Sequence, residues 1–190
     1  MNLRNLRLVS TLWGASVQVV LSAQTLTVSN TVALGNSIAQ YISGDSGLDG
    51  PKISPEINAT SFDWWYFDAV AEDSSMGIVM VFYLSTDLGF PFVLPLSALS
   101  VDIFATFEDG SLVFIPENDL PLQAGEATIV TDGDGASGVW KGTGFEFQGT
   151  PDLSKYTVTV DSPALGISGT LELTSVSIGF SAISSFGKLI

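Results

Sequence analysis

Two aspartates bracket two tryptophans, a tyrosine and a phenylalanine in the stretch SFDWWYFDAV, residues 61–70. Carboxylates beside a phenol are groups for acid–base and hydrogen-bonding chemistry, and indole and phenyl rings are material for an apolar ligand wall. The chain contains no cysteine and no histidine. That excludes a disulfide framework, a thiol nucleophile, a Ser/His/Asp triad, a histidine zinc site and a proximal-histidine haem. Carboxylate, hydroxyl, lysine and aromatic groups remain. Read as a β-strand, the stretch places Trp64, Tyr66 and Asp68 on one face and Asp63, Trp65 and Phe67 on the other, because successive side chains point to opposite sides. Each face then carries one acid and two rings. A strand with one face in water alternates apolar with polar residues, and this one does not. Either both faces are covered by protein, with the rings in a core and the acids hydrogen-bonded, or one face lines a cavity for an apolar molecule with a few polar handles.

The elements that must position these residues read as strands. A chain of 190 residues with 46% apolar and 14% charged residues supports one good-sized core and hence one domain. After DWWYFDAV come MGIVMVFYLS, then SALSVDIFATF and SLVFI joined by a short Asp-Gly turn, then EATIVT, VWKGTGFEFQG, KYTVTVDS and GISGTLELTSVSIGF. Seven to nine short strands with turn residues between them, and no amphipathic helical period, predict an all-β antiparallel barrel or barrel-like sandwich. Glycines in KGTGFEFQG and GISGTLEL fit strands that bend to close such a structure. Residues 24–60 are rich in turn formers without a sustained period and read as an extended, surface-hugging segment ahead of a β domain over 61–175, with an atypical tail over 176–190.

The balance of 6 basic and 20 acidic residues, a formal charge of −14, repels phosphate backbones and speaks against nucleic-acid binding. At the N-terminus a basic MNLRNLR precedes an apolar but interrupted segment and the small residues Ser22 and Ala23, the pattern of a signal peptide over 1–23 and of a secretory destination. The apolar run is shorter than the roughly 20 residues of a spanning helix, so no stable membrane anchor is expected. The sequon at Asn58 to Thr60 is then a candidate glycosylation site. Asp132 and Asp134 resemble the start of a calcium loop, but Thr143 stands where a bidentate carboxylate is needed, and a turn is the expectation; no metal site is assigned. GTGFEFQG lacks a following helix, and the Ser and Lys of FSAISSFGKLI lack a nucleophile elbow.

FDWWYFDAV with its hydrophobic hairpin, followed by VWKGTGFEFQGTPDLSKYTVTVDSPALGISGTLELTS, resembles the N-terminal half of the fungal Diels–Alderases of polyketide and amino-acid hybrid pathways over roughly residues 50–175. These enzymes are themselves similar to the lipocalin-like hydroxyneurosporene synthase (carotenoid 1,2-hydratase) family. The resemblance implies a lipocalin-like β domain, a linear polyene as small-molecule partner, and an intramolecular [4+2] cycloaddition of the kind that makes decalins and cytochalasans, without a cofactor. On that basis Trp64 and Tyr66 supply wall and hydrogen-bond donor and Asp68 orients Tyr66 or the substrate; a shift of one residue transfers these roles to Asp63, Trp65 and Phe67. Tyr66 and Asp68 are thus the expected catalytic pair, with Trp64, Trp65 and Asp63 as substrate-binding residues. A carrier that holds an apolar metabolite unchanged is the alternative. Alkene hydration, as in the carotenoid relatives, would need a general acid, Asp63 or Asp68 with a raised pKa. The resemblance also implies a second barrel after GTLEL, where this sequence has VSIGFSAISSFGKLI, which reads as translated intron; an unpaired domain interface would then favour association.

Overall fold

A computed structural model of the chain describes residues 25–40, 43–44, 47–48, 52–54, 56–91, 97–116, 120–130, 137–150, 154–175 and 182–186. The leader over 1–23 and the Asp132/Asp134 turn lie outside them. The elements are β1 (Thr25–Ser29), β2 (Ile38–Gln40), β3 (Ser43–Gly44), β4 (Gly47–Leu48), β5 (Lys52–Ser54), β6 (Asp63–Val70), β7 (Gly77–Leu84), β8 (Leu99–Thr106), β9 (Leu112–Ile115), a single 3-10 turn (Leu120–Leu122), β10 (Glu126–Val130), β11 (Ser137–Trp140), β12 (Phe145–Gly149), β13 (Lys155–Ser162), β14 (Ile167–Ser175) and β15 (Ala182–Phe186). No α-helix occurs among the described residues.

Two antiparallel sheets carry the architecture. One has four strands in the order β6-β7-β8-β9, the other seven in the order β1-β10-β11-β12-β13-β14-β15, with two-stranded ladders β2-β5 and β3-β4 beside them. Among the described residues no ladder joins the two large sheets, so the molecule is a sandwich and not a closed barrel. The Asp-Gly hairpin forms as expected: Phe107 donates its N–H to the Ser111 carbonyl, Asp109 accepts from the Ser111 N–H, and Gly110 takes the left-handed φ of 79° that the turn requires.

The period of two shows which residues meet. Trp65, Phe67 and Ala69 of β6, Met80 and Phe82 of β7, Val101 and Ile103 of β8, Trp140 of β11, Phe145 and Phe147 of β12, Val158 of β13 and Leu171 of β14 all turn into one core. Rings dominate its centre. Phe82 lies 5.1 Å from Trp140 and 5.0 Å from Phe147, and Trp65 lies 5.5 Å from both, in tilted or edge-on arrangements that suit ring quadrupoles. The segment 24–60 does more than hug the surface. β1 pairs with β10 over five residues, and Val28, Ile53 and Ile57 are buried in the core, single apolar positions in a stretch whose lack of period conceals them. β15 pairs with β14 from Leu171↔Phe186 to Ser175↔Ala182.

The turn from β11 to β12 shows why glycine stands where it does. Gly142 and Gly144 both have positive φ, 89° and 82°, but a Cβ on Gly142 would meet open space while one on Gly144 would lie 2.0 Å from the Asp161 carbonyl oxygen. The Gly144 carbonyl also accepts from the Asp161 N–H at 2.7 Å, so the two chains cannot separate cheaply. Gly142→Ala should therefore cost about 1 kcal/mol, the strain of its φ alone. Gly144→Ala should cost clearly more, read as the larger drop in urea midpoint; equal midpoints would remove the close approach as a constraint.

Candidate functional site

The face of the four-stranded sheet that turns away from the core carries the candidate site. Its rows follow from the register: Trp64, Tyr83 and Ser100 in one, Tyr66, Val81 and Asp102 in the next, then Asp68, Val79, Phe104 and Phe114. Trp64, Tyr66, Phe104 and Phe114 are exposed by 43, 51, 39 and 57%. Val81 and Tyr83 are buried beneath them as a second small cluster, with Val79 and Phe90 packed against it. Phe90 comes from the loop after β7 and closes one end, its ring 5.1 Å from Trp64, 5.0 Å from Phe62 and 6.1 Å from Tyr83. The result is an apolar wall with a built end, the kind of contiguous exposed surface that marks a binding site.

Polar groups are few and gathered. The Tyr83 hydroxyl donates to Asp102 Oδ2 at 3.1 Å. Partial burial and the negative charges of Asp68 and Asp102 hold the Tyr66 phenol above its ordinary pKa, and at neutral pH it is a protonated hydroxyl that can donate a hydrogen bond. Ser100, on the same face as Asp102, is fully buried. Among the described residues no cluster of three or more acidic, histidine or cysteine side chains is placed to hold a metal ion.

The structure separates the residues singled out from the sequence. Trp64, Tyr66 and Asp68 come together on this outer face, whereas Asp63 and Trp65 turn into the core. Asp63 is 5% exposed; its Oδ1 accepts from the Trp64 N–H at 2.9 Å, and Oδ2 has no hydrogen-bond partner among the described residues. Burial pushes its carboxyl up to about 7 against the pull of that N–H. Trp65 Nε1 is likewise without a partner there. Asn58 lies in a turn, its side-chain oxygen accepting from the Thr60 and Ser61 N–H groups at 3.0 and 2.9 Å. Sequence reasoning missed Tyr83, Phe90, Ser100 and Asp102. One signal was present: an aspartate inside the apolar run LSVDIFAT, at the parity of the outward side chains.

Residues 21–186 match the family described as Diels-Alderase-like. A quinolone epoxide rearrangement protein of Emericella nidulans is 36% identical over 146 residues, 75% of this chain and 38% of the relative. A second of that description from Penicillium thymicola is 38% identical over 154 residues, 74% of this chain and 39% of the relative. A Diels-Alderase of an Acremonium species is 32% identical over 118 residues, 56% of this chain and 26% of the relative. The chain thus spans less than two fifths of the length of these relatives. No solved structure matches it.

The buried acid predicts a pH dependence of stability. The folded protein keeps Asp63 protonated up to about 7, while the unfolded chain ionises it near 3.8. Between those values the unfolded state binds fewer protons, so the contribution of Asp63 is full below about pH 4, falls as pH rises, and is level above 7. Urea unfolding from pH 4 to 8 should show that decline. Asp63→Asn should flatten it and be the more stable protein at pH 8, by up to roughly 4 kcal/mol at 1.36 kcal/mol per pKa unit; a slope unchanged by the substitution would mean that Asp63 does not titrate in this way.

Proposed function

This chain belongs to the Diels-Alderase-like family, and from that premise we propose that it contributes one wall of the site of a cofactor-independent cyclase, one that closes a ring in a linear polyene by intramolecular [4+2] cycloaddition. The observation that carries the reading is the outer sheet face, where Trp64, Val79, Phe90 and Phe104 offer an apolar bed over the buried Val81, beside the protonated phenol of Tyr66. The chemistry matches what such a face can do. A [4+2] closure makes two carbon–carbon σ bonds and one new π bond from three π bonds and transfers no proton, hydride or group. The barrier is largely one of orientation, and a wall that holds diene and dienophile in near-attack geometry lowers it. A single O–H donated by Tyr66 to the dienophile carbonyl withdraws electron density and stabilises charge that develops there. The hydroxyl is protonated at neutral pH in any case, and burial together with the charges of Asp68 and Asp102 raises its pKa further.

One observation favours a second reading. Relatives of this chain are named for quinolone epoxide rearrangement, a reaction that an acid could assist by protonating the epoxide oxygen, and Asp63 is an acid that stays protonated up to about 7. Its carboxyl, however, lies on the core face, away from the aromatic wall. The cycloaddition reading uses the groups that are exposed together.

The test is incubation of the full chain with a linear polyene carrying an activated alkene, without added cofactor, followed by loss of polyene absorbance and appearance of a product of unchanged mass. Tyr66→Phe should slow closure by about 10²-fold, the scale of losing one preorganised donor, with an unchanged urea midpoint because Tyr66 is half exposed. Binding of the polyene with no product would make the chain a carrier, and an unaltered rate in Tyr66→Phe would remove the phenol from the site.

A further inference from the structure

The outer face of the four-stranded sheet has a floor and two flanks. Gly77, Val79 and Val81 of β7 lie in a line between β6 and β8, whose outward side chains stand about 10 Å apart across it, two strand spacings. Burial along the line is uneven: Val81 is buried, whereas Val79 and Gly77 are half-buried. The trough therefore opens toward Gly77. There its flanks are Val70 of β6 and Thr106 of β8, and one row in they are Asp68 of β6 and Phe104 of β8, with Phe114 of β9 beyond. Val70, Phe104 and Phe114 are all exposed.

Gly77 is a glycine that the fold itself does not require. Its φ is not left-handed, and a Cβ built on it would meet Thr106 Oγ1 at 3.4 Å, the Ala69 carbonyl oxygen at 3.7 Å and Val70 Cγ2 at 3.9 Å, all ordinary contacts. Gly138 of β11 is different, because a Cβ there would lie 2.6 Å from the Trp140 ring. Glycine in a strand weakens it and packs against nothing; where neither backbone nor neighbours call for it, its remaining use is to let another group come close.

We propose that Gly77 is a specificity-determining position of this face: its missing side chain keeps the end of the trough open and admits ligands whose apolar chain runs on past it. The inference rests on the reading of the face as a ligand wall. Tyr66 shares a row with Val81, and Gly77 lies four residues further along β7, about 13 Å away. A ligand whose carbonyl meets the Tyr66 hydroxyl and whose chain follows β7 has that length of floor before it crosses Gly77. Short chains end before that row, and long ones need the space.

The probes are the methyl esters of two linear conjugated tetraenoic acids, one of ten carbons and one, parinaric acid, of eighteen, titrated into the full chain and read by energy transfer from tryptophan. The wild type should bind both. Gly77→Leu should weaken the longer ester by about tenfold or more, the scale on which an apolar site rejects extra bulk, and leave the shorter one unchanged. Gly77→Ala should show a smaller loss in the same direction, with a urea midpoint equal to or above that of the wild type, since its Cβ meets no clash. A lower midpoint in Gly77→Ala would mean that the fold needs the glycine, and the inference is then overturned. It is overturned as well if Gly77→Leu, with native circular dichroism, weakens both esters equally or neither, which leaves the wall in place. Failure of both esters to bind the wild type removes the wall itself, and the role of Gly77 falls with it.

Discussion

Everything in this fold hangs on the ring contacts between the two sheets. Phe82 sits between Phe67 on its own sheet and Trp140 and Phe147 on the other, and the Trp140 indole N–H reaches through to the Tyr83 carbonyl at 3.2 Å. That hydrogen bond spans 57 positions of chain and is buried. A buried indole N–H without an acceptor would be expensive, so the bond fixes how far β11 and β7 lie from each other as well as their register. Because Phe82 points inward, its neighbour Tyr83 must point outward. The inner packing thereby places the outer hydroxyl that meets Asp102.

β7 makes the same point along its length. It reads GIVMVFYL, with almost no alternation, and the structure buries both of its faces, one in the main core and one beneath the aromatic wall. A strand covered on both sides is what a continuous apolar run means in a sheet. Among the described residues the outer covering is Trp64 and Phe90, and large rings stay partly exposed. A surface ordered from beneath by a tight core is well suited to hold a flexible apolar molecule, since the wall does not have to be organised when the ligand arrives.

Much of this was legible in the residues. The strands around Trp64, Phe82 and Trp140, the Asp-Gly hairpin at Gly110 and the two faces of β6 follow from the period of two and from turn chemistry. Which face of β6 is inward was not legible, because both carry rings and an acid, and the choice is made by Trp140 and Phe147, some eighty residues on. Likewise Val28 reaches the core through the pairing of β1 with β10, and Ile57 where its carbonyl accepts from the Ala33 N–H, not through any local pattern. Asp102 escaped notice because an isolated acid in an apolar strand looks the same whether it is solvated or accepts from a tyrosine. Barrel and sandwich share the same local alternation, so closure could not be read from it.

β6 lies at one edge of its sheet, with β7 as its single partner strand among the described residues. It is eight residues long, holds four large aromatic rings and contains neither proline nor lysine. Such an edge is a template on which another extended chain can pair, and natural edges are commonly blunted by charge. Here that protection is uneven. Asp68 presents its carboxyl on the outer side, but Asp63, buried and protonated up to about 7, brings no charge to the inner side in mildly acidic solution. The same burial that favours the folded chain at low pH thus removes one of the two charges that would discourage strand-to-strand growth, so that in acid the chain can be individually firmer and collectively less soluble.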